Sequence, residues 1–162
     1  MLDIANNKEE IKSDEMLYAP FSGRVFKIEE TTDTVFSQKL MGEGFAIDPT
    51  EGKIFAPVSG KITLLNGHAI GFAREDGLEI LLHIGIDTVS LNGDPYHYTV
   101  EVDDNVEGAC EIGSVDLSAI EAAGLSKTSM VIFTNTKEKL KDFSVDYGEV
   151  TAGGIIGRAS SK

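Results

Sequence analysis

The chain has 162 residues, a mass of 17.4 kDa and a hydrophobic content of 41%, enough for one domain with a sizeable core. Its 27 acidic residues against 14 basic ones give a net charge of −13, which repels nucleic acid and favours basic protein partners. No apolar run nears the roughly 18 residues of a membrane helix, and the start MLDIANNKEEIKSDE has no basic segment followed by an apolar one, so no secretory signal is read there. A lone cysteine, Cys110, excludes an internal disulfide and fits a reducing compartment; the chain is expected to be cytoplasmic.

Residues 1–15 are polar and charged and are expected to form a flexible leader ahead of a single domain, 16–162. Beyond them, 17 glycines divide the sequence into short runs rich in Val, Ile and Phe. Residues 24–28 read as a strand, 34–41 as one helical turn, and 45–47, 53–56, 61–65, 69–73 and 79–82 as further strands. Residues 98–102, 130–133 and 145–147 complete the strand set, and Cys110 lies in a strand-like stretch as a small core residue. Residues 117–123 alone have the composition of a full helix, with Asp116 as its cap. Many short strands between turns predict an all-β fold, a sandwich or a barrel, with one or two short helices.

A repeat organises these elements. Ala19-Pro20-Phe21-Ser22-Gly23-Arg24-Val25 returns as Ala56-Pro57-Val58-Ser59-Gly60-Lys61-Ile62. Val106-Glu107-Gly108-Ala109 through Ile112 likewise returns as Val150-Thr151-Ala152-Gly153 through Ile156. Two interleaved copies of one motif are expected, each with a Pro-x-Ser-Gly turn feeding a strand. Biotinyl and lipoyl carrier domains share the Ala-Pro-x-x-Gly pattern, but no hairpin bearing a modifiable lysine is readable here.

Three histidines are present: His68, His83 and His97. His68 begins one apolar run and His83 ends another, and Arg74-Glu75-Asp76-Gly77 between them contains the Asp-Gly hairpin signal. A turn centred between Glu75 and Asp76 would set His68 opposite His83, bringing two imidazoles together beside an apolar strand. Such a pair can serve phosphoryl transfer, one ring as nucleophile and the other as hydrogen-bond donor. It could also bind zinc, which requires at least one more protein ligand. His83-x-x-x-Asp87 matches half of the ligand set of lysostaphin-type zinc endopeptidases, but the His-x-His those enzymes need is missing. No Gly-x-Ser-x-Gly, Walker or dinucleotide glycine loop is present, so a phosphoryl donor would be another phosphoprotein.

Several stretches resemble the glucose-family enzyme IIA domains of the phosphoenolpyruvate-dependent sugar phosphotransferase system. They are Thr34-Val35-Phe36-Ser37, Met41-Gly42-Glu43-Gly44-Phe45-Ala46-Ile47, Ile54 to Gly60, His68-Ala69, and Leu82-His83-Ile84-Gly85-Ile86-Asp87-Thr88-Val89. The resemblance runs over about residues 17–158. It implies an antiparallel β-sandwich built on a duplicated hybrid motif, with a shallow apolar face around the histidines. It implies phosphorylation of His83 at Nε2 and a holding role for His68; no cofactor and no metal are expected. The implied donor is the histidine-containing phosphocarrier protein, and the implied acceptor is a cysteine on the enzyme IIB domain of a sugar permease. Asp33 and Asp87 match acidic positions that meet basic partner residues, while Val35, Phe36, Leu40, Met41 and Val89 match the apolar rim. Asn66 stands where threonine is usual, and is expected to support an imidazole or the phosphate. Asn92-Gly93-Asp94-Pro95-Tyr96 departs from the usual Gly-x-Gly-Phe loop. A rival reading is a regulatory protein whose phosphorylation state controls permeases or kinases.

Overall fold

Among residues 14–91 and 95–162, which the computed structural model describes, the chain forms fourteen strands and three short α-helices. The first part carries β1 (Met16–Tyr18), β2 (Gly23–Lys27), α1 (Thr34–Ser37), β3 (Glu43–Pro49), β4 (Lys53–Phe55), β5 (Gly60–Asn66) and β6 (Ala69–Ala73). After β7 (Glu79–His83) come β8 (Tyr96–Tyr98), β9 (Asn105–Val106), β10 (Glu111–Val115), α2 (Leu117–Ala122) and β11 (Ser129–Phe133). The chain ends with α3 (Thr136–Lys139), β12 (Leu140–Val145), β13 (Gly148–Val150) and β14 (Ile155–Ser161). Among the described residues no helix is long and apolar enough to cross a membrane.

All pairings between these strands are antiparallel. An eight-stranded sheet runs β13-β2-β3-β11-β7-β6-β5-β9, and two three-stranded sheets, β1-β14-β12 and β4-β10-β8, complete the sandwich. Strand alternation sorts the side chains of the large sheet into two sets. Val25, Phe45, Ile47, Ile70, Phe72, Ile80, Leu82, Val131 and Phe133 enter the main core with Leu17, Ile54, Ile112 and Ile156 from the small sheets. On the opposite face Phe26, Ala46, Met130 and Ile132 form a second cluster, covered by Ile28, Phe36 and Ile86.

The repeat read from the sequence is a structural duplication. Tyr18 N donates to Pro57 O and Phe55 N donates to Pro20 O, each at 2.9 Å, so the two copies bond each other reciprocally. Gly153 N bonds Ala19 O as Ala109 N bonds Ala56 O, both at 2.9 Å, and both donors have positive φ, 79° and 73°. The serine of each turn holds the partner segment. Ser22 Oγ accepts from Ala152 N at 3.0 Å, and Ser59 Oγ accepts from Gly108 N at 2.8 Å. Pairing of β2 with β13 through Gly23–Val150 matches pairing of β5 with β9 through Gly60–Val106.

Two expected strands end differently. Residues 98–102 alternate as a strand would, but Asp103 adopts φ 78° and the Asp104 carboxylate takes the Glu101 N–H at 2.9 Å, folding the segment into a loop after Tyr98. Of residues 145–147, Val145 ends β12, and Asp146 and Tyr147 form the turn to β13. Cys110 is half-buried in the turn before β10, its carbonyl accepting from Ala56 N at 2.9 Å. Residues 1–13, most of the expected leader, lie outside the described residues. Asp14 accepts hydrogen bonds from Met16 N, Tyr18 Oη and Ser59 Oγ.

Ser59 therefore serves two partners from a buried position, 6% exposed, whereas half-buried Ser22 serves one. Ser59→Ala strands the Gly108 amide and should cost about 1–3 kcal/mol; Ser22→Ala should cost under about 1 kcal/mol. Urea unfolding should show the larger midpoint loss for Ser59→Ala with an unchanged slope.

Candidate functional site

His83 is the last residue of β7, a strand in the interior of the large sheet, and faces away from the main core. Register places it in a row across the outer face: Phe26, Ala46, Met130, His83, Ala69 and Asn66. Alanines on this row keep the face shallow, so the imidazole stands in a dish with an apolar floor. Phe36 closes one side, its ring centroid 4.9 Å from that of His83.

The hairpin register differs by one residue from the expected one. Its loop holds five residues, 74–78, closed by Arg74 N to Leu78 O at 2.9 Å, so Ala69 lies opposite His83. His68 nevertheless reaches His83, because it is not in the ladder. Asn66 pairs with Ala69, leaving Gly67 and His68 as a two-residue turn, with Gly67 at φ 51°. The turn tips the His68 ring to 4.8 Å from the His83 ring, edge to face. Ile84 N fixes the His68 carbonyl at 2.7 Å.

Beyond β7 the backbone doubles back through Gly85 at φ 85° and Asp87 at φ 62°. A Cβ at Gly85 would lie 2.4 Å from Thr88 Cγ2, so only glycine fits the turn. This bend brings Gly85 O to 2.8 Å from His83 Nδ1. A carbonyl only accepts, so Nδ1 carries the proton and the Nε2 lone pair is left for chemistry. The bend is itself held, since Thr88 Oγ1 at 2.6 Å and Tyr96 Oη at 3.1 Å both donate to Ile84 O.

Burial, then the neighbouring His68, holds His83 below its ordinary value of 6.5 against the opposing pull of the Gly85 carbonyl and the Asp33 and Asp87 charges. Burial lowers His68 too. Both rings are accordingly neutral at pH 7, the form that can attack an electrophile. Among the described residues, no group of three or more His, Cys, Asp or Glu side chains converges as a metal site.

The remaining candidates divide by exposure. Val35, Leu40 and Met41 are exposed, Leu40 at 70%. Phe36, expected on the rim, is only 5% exposed, because the α1 turn directs its ring inward against His83. Asp33 caps α1, accepting from Val35 N at 2.8 Å, and acts electrostatically on His83 along with exposed Asp87. Asn66 is exposed, and its side chain makes no hydrogen bond to either imidazole among the described residues. The Val89 side chain lies outside the described residues. His97 is exposed on β8, opposite Ser114, and takes no part. Sequence reasoning did not find the Gly85 carbonyl, Thr88 or Tyr96; the departure at Asp94-Pro95-Tyr96 was the available signal for the tyrosine.

A family model described as phosphoenolpyruvate-dependent sugar phosphotransferase system, EIIA 1, matches residues 15–139, and the chain belongs to that family. It is thus a phosphotransferase component of the sugar phosphotransferase system, with a IIA phosphocarrier role. It is 40% identical over 132 residues to the PTS system glucose-specific EIIA component of Staphylococcus aureus (strain Mu50), covering 80% of each chain. It is 43% identical over 123 residues to the PTS system glucose-specific EIICBA component of Streptococcus pneumoniae serotype 4, covering 75% of this chain and 17% of that one. The glucose permease IIA structure from Mycoplasma capricolum superposes with a TM-score of 0.82 at 37% identity, covering 91% of this chain and 96% of that one.

Stability should report the neutral imidazoles. Between pH 6.5, the ordinary imidazole value, and the lowered values of the folded site, the unfolded chain binds protons that the folded one refuses. Folding stability is therefore complete above 6.5 and declines as pH falls through that window. Urea midpoints should fall from pH 7.5 to 5.5 in the parent, and the fall should be smaller in His83→Gln.

Proposed function

We propose that His83 accepts a phosphoryl group at Nε2 from the phosphohistidine of the phosphocarrier protein and yields it to a cysteine of an enzyme IIB domain. The observation carrying this reading is the Nδ1 to Gly85 hydrogen bond, which reserves Nε2 beside His68. In the first transfer the Nε2 lone pair forms the new N–P bond as the donor's N–P bond breaks; in the second, sulfur displaces Nε2. Phosphoryl transfer needs position and charge stabilisation more than covalent work from the protein. His68 supplies a ring N–H to the phosphoryl oxygens, and Asp33 and Asp87 repel the bound group's charge, easing its departure.

Docking area comes from Val35, Leu40 and Met41 around the dish, with steering from the acidic edge. A basic surface on the donor suits this arrangement and the net charge of −13. The sugar carried is that of the partnering permease; the relatives matched are named for glucose.

With phosphoenolpyruvate, enzyme I and the phosphocarrier protein, the parent should gain one acid-labile phosphoryl group and His83→Gln none. Normal labelling of His83→Gln would reject the assignment. His68→Gln should accept the group yet pass it to IIB at least about tenfold more slowly, consistent with loss of a donor aimed at developing charge.

Leu40→Ser tests the docking face better than a change at buried Phe36, since an exposed leucine can be removed without unfolding the domain. It should lower the labelling rate at limiting donor about fivefold or more at every salt concentration. Asp33→Asn and Asp87→Asn should slow labelling chiefly at low ionic strength, because screening at 0.15 M shortens electrostatic reach to about 8 Å. Asparagine also caps helices and tolerates positive φ, so both folds should persist.

A further inference from the structure

We propose that Tyr98 is a positioning residue for His68, locking the turn that presents its ring to His83. The inference rests on the role given to His68 above and identifies what holds that ring in place.

Tyr98 Oη donates a hydrogen bond to the carbonyl of Gly67. That carbonyl belongs to the peptide joining Gly67 to His68, so the bond fixes the plane on the N-terminal side of His68. The plane on its C-terminal side is fixed by Ile84 N donating to His68 O at 2.7 Å. With both flanking planes held, only the side-chain torsions of His68 stay free, and the ring settles 4.8 Å from His83. Asn66 beside the turn is exposed, and among the described residues its side chain makes no hydrogen bond to either ring.

The tie crosses between sheets. Tyr98 lies in β8, in the small β4-β10-β8 sheet, whereas His68 joins two strands of the large one. Space for the phenol ring is provided by Gly113, its partner on β10, where a Cβ would lie 2.9 Å from Tyr98 Cδ1. Burial and the adjacent Tyr96 push the Tyr98 phenol up, so it remains a donor throughout the working pH range.

Tyr98→Phe keeps the ring and removes only the donor. It should take up phosphate on His83 within about twofold of the parent rate, but transfer it to a IIB domain about tenfold more slowly, the cost of a displaced group. In a His68→Gln background the same change should add less than about twofold, since both substitutions then remove one function. Nitrogen-15 NMR should also show the His68 imidazole titrating closer to 6.5 in Tyr98→Phe as the loosened ring gains water. Multiplicative losses in the double variant would overturn the inference, as would parent-like transfer by Tyr98→Phe. Unfolding of Tyr98→Phe by circular dichroism would overturn it too, since the hydroxyl would then serve the fold. If His68→Gln alone transfers normally, the role of His68 itself fails, and that result is separate from any obtained with Tyr98→Phe.

Discussion

A histidine can attack phosphorus only from an unprotonated nitrogen, and it has two to choose between. In this domain the Gly85 carbonyl makes the choice by occupying Nδ1 at 2.8 Å. Much of the surrounding architecture keeps that carbonyl where it is. Gly85 and Asp87 take positive φ to fold the chain back, Thr88 and Tyr96 hold the preceding carbonyl, and Ile86 N anchors the far side to Ser126 O at 3.0 Å. β7, between β11 and β6, holds the imidazole's own backbone on both edges. A loosely held ring would lose the pre-organisation on which phosphoryl transfer depends.

Electrostatics around the ring pull in opposite directions. Burial and His68 keep His83 neutral, while Asp33 and Asp87 favour its protonated form. Burial wins, leaving a nucleophile rather than a cation at neutral pH. Both carboxylates act electrostatically on the imidazole, so an anionic group carried by that ring would sit in a repulsive field. A carrier benefits from such a balance, because a group bound too well would not be passed on.

The strands easiest to read from the sequence were apolar runs set off by glycine turns. Residues 69–73 match β6, and 79–82 fall one residue short of β7. β1 was missed because three residues between a charged segment and Ala-Pro carry too little pattern, and β14 because Gly157, Arg158 and the serines dilute its alternation. The histidine pair was readable although the register was not. Loop length sets register, and a five-residue loop centred on Asp76 moves the pairing by one. His68 escapes the consequence because its ring projects from the turn before β6. The roles of Gly85 O, Tyr96 and Tyr98 depend on contacts between residues distant in sequence or on carbonyl orientation, and neither leaves a local trace in residue type.

The exchange between the two copies of the motif has a bearing on how the domain is made. β1 pairs with β14, β2 with β13, and Tyr18 bonds Pro57, so segments near residue 20 have partners near residues 57 and 150. A ribosome adding about 5–20 residues each second delivers the second of these partners many seconds after the first segment. Until then β2 lacks its outer neighbour and the core lacks Ile156 and Ala159. Closure of this sandwich therefore waits on long-range pairing, and the growing polypeptide must carry its unfinished apolar faces until β13 and β14 emerge.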